Sequence, residues 1–84
     1  MTANDRMTGL QELIDARGLK RSKQRDLIAE IFFVSEGHIS IDELWTAVRL
    51  KVPRVSQATV YRTMKLLVEL GLAHGRQFQD GFLR

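Results

Sequence analysis

A chain of 84 residues and 9.6 kDa has room for one small domain, and its 44% hydrophobic and 27% charged content is ordinary globular composition. The lack of cysteine excludes disulfides, thiolate zinc sites and thiol nucleophiles, and no apolar run approaches the roughly 18 residues that span a bilayer. A formal net charge of +3 with a pI near 9.8 points towards a polyanionic partner.

The punctuation along the chain is helical. Thr8 and Gln11 have the spacing of a T-x-x-Q capping box, so a first helix is expected to start there. Leu10, Leu13 and Ile14 supply its apolar face, and Gly18 suits the left-handed position that follows a helix. A second helix is expected from Ser22 to about Ser35, dense in Leu27, Ile28, Ile31, Phe32 and Val34, with Glu36-Gly37 breaking it. Ser40-Ile41-Asp42-Glu43 is an S-x-x-E capping box, flanked by Ile39 and Leu44 as a hydrophobic staple. That third helix carries Leu44, Trp45 and Val48 and cannot pass Val52, because Pro53 disfavours helical geometry in the residue before it. After the turn Pro53-Arg54-Val55, Ser56 is a good N-cap for a fourth helix over residues 57–70, ended by Gly71. Residues 72–78 and 82–84 flank Asp80-Gly81, a hairpin-turn signal. The expected fold is mainly α with a small β-hairpin: a single winged helix-turn-helix domain over residues 1–84.

The cations are not spread evenly. Residues 17–25 hold five bases and no acid, and residues 49–65 hold Arg49, Lys51, Arg54, Arg62 and Lys65 and no acid. Between them, residues 26–48 hold five acids and no base. One such run is ordinarily a solvated face. Two runs able to share one face suit a phosphate-binding surface.

The fourth helix has two stripes. Val60, Met64 and Leu67 belong to the core, whereas Ala58, Tyr61, Arg62 and Lys65 line a second, mostly polar face. There Tyr61 suits thymine methyl groups, Arg62 suits guanine or phosphate oxygens, and Lys65 suits phosphate. Ser56 and Gln57 lie at the helix N-terminus, where free N–H groups favour phosphate. The structural alternative has Tyr61 capping the edge of the core and Arg62 paired with Glu69.

Ser56-Gln57-Ala58-Thr59-Val60-Tyr61-Arg62-Thr63 resembles the recognition-helix signature of the ferric uptake regulator (Fur) family. Gly18-Leu19-Lys20-Arg21-Ser22-Lys23-Gln24-Arg25 and His38-Ile39-Ser40-Ile41-Asp42-Glu43-Leu44 are similar to that family in the same order, and Gly71-Leu72-Ala73 fits the helix exit. The resemblance covers roughly residues 10–84. It implies Tyr61 and Arg62 as major-groove readers, Lys20 as a minor-groove contact, and Arg25, Ser56 and Thr59 as phosphate anchors. Arg76 is a weaker candidate for phosphate contact, with a solvated strand residue as the even alternative.

The same resemblance implies a bacterial, cytoplasmic, metal-responsive repressor that binds double-stranded DNA as a homodimer. His38 matches a family histidine, yet one imidazole holds no metal tightly, so no cofactor is expected in this chain alone. Taken without the family, His38 is an exposed residue just before a helix cap. Iron, zinc or manganese is expected for a full-length member, and the dimer contact is expected in a C-terminal domain absent here. His74 matches no ligand position. Neither a membrane nor a small-molecule substrate is expected as a partner.

Two other classes compete with this reading. A winged-helix protein-interaction module without DNA binding would more often carry apolar anchors than a Tyr-Arg pair. An enzyme would need a nucleophile elbow, a phosphate loop or paired carboxylates. Asp42-Glu43 is the one acidic pair, and helix capping explains it.

Overall fold

The computed structural model describes residues 2–36 and 39–74, which form four helices: α1 (Ala3–Ala16), α2 (Lys23–Val34), α3 (Ile41–Arg49) and α4 (Gln57–Glu69). Packing is centred on α2, which touches each of the other three helices, while α3 and α4 also touch each other. The shared core takes Leu10 and Ile14 from α1, Ile28, Phe32 and Phe33 from α2, and Leu44 and Val48 from α3. From α4 it takes Val60, Met64 and Leu67.

Three helix starts follow the capping signals. The Ser22 hydroxyl accepts from the Arg25 N–H at 3.2 Å and opens α2. Ser40 and Glu43 close a reciprocal capping box on α3, with backbone-to-side-chain bonds of 3.0 and 3.1 Å. These hydrogen bonds hold the Glu43 carboxyl below its ordinary pKa, because the charged form is the better acceptor. Ser56 caps α4 through the Thr59 N–H at 3.1 Å.

The start of α1 differs from expectation. The helix begins at Ala3, five residues before Thr8, and its capping box is formed by Thr2 and Asp5. Thr8 lies inside the helix and donates its hydroxyl to the Asn4 carbonyl at 3.2 Å. Asp serves here in the acidic position usually occupied by Glu or Gln.

Helix ends follow the left-handed rule. Gly18 and Gly71 adopt φ of 66° and 78°. Each closes a Schellman motif, with Leu19 N–H bonded to the Ile14 carbonyl and Leu72 N–H to the Leu67 carbonyl. At the end of α2 the left-handed residue is Glu36, at φ 59°. Residues 72–74 leave α4 as a bend rather than a strand. The rest of the expected hairpin, residues 75–84 with Arg76, lies outside the described residues. No helix among the described residues is long and apolar enough to cross a membrane.

Candidate nucleic-acid interface

The N-terminus of α4 is fixed from α3. Trp45, on α3, donates its indole N–H to the Val55 carbonyl at 3.0 Å, and the Val55 side chain is itself buried. This bond sets the turn that aims α4. One residue past the Ser56 cap, the Gln57 amide donates to an Asp42 carboxylate oxygen at 2.6 Å. Together these bonds make α3, the turn and α4 one braced helix-turn-helix unit.

The faces of α4 then follow from its period. Val60, Thr63, Met64 and Leu67 are buried, whereas Gln57, Ala58, Arg62 and Lys65 are exposed. Tyr61 is half-buried and packs against the core, so it is not the fully solvent-facing residue that the stripe suggests. The reason is its position on the helix wheel, three residues before the buried Met64 and at the border between the two faces. An amphipathic ring suits that border, with apolar carbons towards the core and a polar tip at the rim. The core-edge alternative is therefore correct for the ring. The Arg62–Glu69 pairing is absent among the ion pairs of the described residues, where Arg21–Asp15 at 3.0 Å is the one recorded.

The two basic stretches each contribute one cation to a shared groove. A shallow groove of about 270 Å³ between the start of α2 and the outer side of α4 is lined by Ser22, Arg25, Thr59, Arg62, Thr63 and Leu66. Arg25 comes from the first basic stretch and Arg62 from the second. The Arg25 guanidinium donates to the Lys20 carbonyl, which ties the loop before α2 to that helix. Its Nε is buried among the described residues without a hydrogen-bond partner. Lys20 itself is exposed in that loop. A run of hydroxyls follows the groove, with Ser56 to Thr59 at 3.0 Å and Thr63 donating to the Thr59 carbonyl at 2.9 Å.

Not every cation is available to a partner. Arg49 stacks over the Trp45 ring at 4.0 Å from its centroid, so it is engaged with α3. The structure also adds residues that spacing did not single out. Thr63 and Ser22 line the groove, Trp45 sets the turn, and Asp42 holds Gln57. The Thr59–Thr63 repeat was a visible signal for the first of these, while the cross-helix bonds of Trp45 and Asp42 have no local signature.

Among the described residues no group of three or more His, Cys, Asp or Glu side chains is arranged to hold a metal ion. His38 lies outside the described residues. The described side chains by themselves do not fit a metal centre.

A braced helix-turn-helix whose outer face joins two cationic segments defines the class of this domain. The pattern of the ferric uptake regulator family matches residues 16–84, and the chain belongs to that family. It is 38% identical over 72 residues to the ferric uptake regulation protein of Rhizobium leguminosarum bv. viciae, covering 86% of this chain and 51% of that protein. It is 30% identical over 81 residues to the ferric uptake regulation protein of Bacillus subtilis, covering 95% of this chain and 54% of the relative. The peroxide operon regulator of the same organism is 30% identical over 84 residues, covering 100% of this chain and 57% of the relative. The chain thus spans about half the length of these curated relatives. No solved structure matches it significantly.

Proposed function

We propose that this chain is the sequence-selective, double-stranded DNA-binding part of a cytoplasmic, metal-responsive transcriptional repressor. Helix α4 enters the major groove, where Tyr61 and Arg62 meet base edges and Lys65 meets phosphate. Ser56 and Thr59 anchor the backbone near the start of the helix, and Arg25 and Lys20 grip the flanking strand across the groove. The observation that carries this reading is the convergence of Arg25 and Arg62 on one groove beside the exposed face of α4. It is supported by what that face lacks. The exposed large hydrophobic residues among those described are Leu19, Val34 and Leu50, none of them on α4. The winged hairpin, a homodimer on a near-palindromic site, and control by iron, zinc or manganese belong to the same proposal at the level of the family. No enzymatic step is assigned.

The test is a comparison of two variants over a panel of duplexes. Tyr61→Ala is expected to cost about 1–3 kcal/mol of binding and to blur preference at A·T positions, while Lys65→Ala weakens all sequences about equally. Unchanged affinity and preference in Tyr61→Ala would remove α4 from the interface.

A further inference from the structure

We propose that Asp42 and Gln57 act as a readout pair, in which Asp42 fixes the Gln57 amide so that the chain selects adenine at one base pair of its site. The inference rests on the DNA-binding reading above and deepens it. Gln57 is the first residue of α4, exposed and one helical turn before Tyr61, where the N-terminal residues of a recognition helix reach base edges. Its amide nitrogen lies 2.6 Å from an Asp42 carboxylate oxygen, in a bond that joins residues fifteen apart in sequence. An ionised carboxylate only accepts hydrogen bonds, so the chemistry of the pair dictates that the NH2 end of the amide faces Asp42.

One N–H is spent on Asp42. What is left to a partner is Oε1 and the second N–H, side by side. That pattern matches the major-groove edge of adenine, whose N6 donates and whose N7 accepts. Cytosine satisfies only Oε1. Guanine and thymine offer only acceptors, so they take the second N–H but leave Oε1 without a donor, one bond fewer than adenine gives. An amide without Asp42 can turn over and bring both N–H groups to guanine or thymine, so the lock favours adenine.

Asp42 also stands in the first turn of α3, where a carboxylate suits the helix dipole, but that role requires no bond to Gln57. The capping box of α3 is closed by Ser40 and Glu43, and the Asp42 carboxylate is not part of it. An exposed acid beside a DNA-reading helix also repels phosphate, and that repulsion gives the test two effects of opposite sign.

The experiment is selection of duplexes from a randomised pool by the chain and by Asp42→Ala, Asp42→Asn, Gln57→Ala and the Asp42→Ala/Gln57→Ala double variant, with folding checked by thermal melting. The wild-type chain is expected to prefer adenine over guanine at one position by roughly tenfold, from the lower end of base discrimination by a good side-chain pair. Asp42→Ala and Gln57→Ala both flatten that same position, and the double variant flattens it no further. Asp42→Asn keeps the fold but meets the amide in either orientation, so it flattens the position too. Asp42→Ala also raises affinity for every duplex. Retention of the wild-type preference in both Asp42 variants, or loss of preference at different positions in Asp42→Ala and Gln57→Ala, overturns the pair. Failure of the wild-type chain to select any duplex overturns the DNA-binding reading and the pair with it. Altered selection in Tyr61→Ala with unaltered selection in the Asp42 variants sinks the pair alone.

Discussion

The two basic stretches reach the same groove by different means. The start of α4 is held from α3, by Trp45 to the Val55 carbonyl in the turn and by Gln57 to Asp42, ten and fifteen residues apart. The loop before α2 is held by its own neighbours, through Arg25 to the Lys20 carbonyl, Arg21 to Asp15 and the Ser22 cap, three to six residues apart. Bonds between helices fix a side chain relative to the whole domain, which reading a base edge requires. Local bonds order a loop but leave its long cations free to follow a backbone, which suffices for gripping phosphate. On the proposed function, the two halves of the interface are built to different tolerances.

The largest blow to the braced half comes from beneath it. Leu67→Ala removes a fully buried side chain where α4 meets the core and is expected to lower stability by about 2–5 kcal/mol in denaturant unfolding. Trp45→Phe cuts the brace itself. It leaves the Val55 carbonyl without its indole donor, with an expected cost of about 1–2 kcal/mol, and it should reduce sequence preference more than Lys20→Ala does. Equal loss of preference in Trp45→Phe and Lys20→Ala, measured on the same duplex panel, would erase the difference between the two halves. The smallest effect sharpens the comparison from outside the interface. Glu36 holds a left-handed φ of 59° at the far end of α2, a conformation that costs a side chain and not glycine. Glu36→Gly is therefore expected to raise stability by about 0.5–1 kcal/mol, with DNA affinity unchanged in the same titration.

Much of this design was legible in the residues. Ser40 with Glu43, Ser56, Pro53 and Gly71 bound α3 and α4 because capping and glycine termination are local chemistry. The start of α1 was misplaced because Thr8 and Gln11 imitate the spacing of a box that Thr2 and Asp5 form. Tyr61 falls on the outer stripe because a wheel of stripes has no border category, although Met64, three residues on and beside it on the helix surface, is buried. The grouping of Arg25 with Arg62 was suggested by charge alone, but the groove that unites them needs the packing of α2 on α4. Trp45–Val55 and Asp42–Gln57 were beyond reach, since no spacing rule links residues ten or fifteen apart across a turn.

The central claim is that two cationic segments neutralise the phosphates of one duplex. The most direct measurement is the affinity of the chain for double-stranded DNA as salt rises from about 50 to about 200 mM, repeated with Arg25→Ala and Lys65→Ala. The expected result is a steep linear fall of log affinity with log salt, its slope reduced by about one in any variant whose cation contacts a phosphate. A salt-independent affinity, or slopes identical in all three proteins, would contradict it.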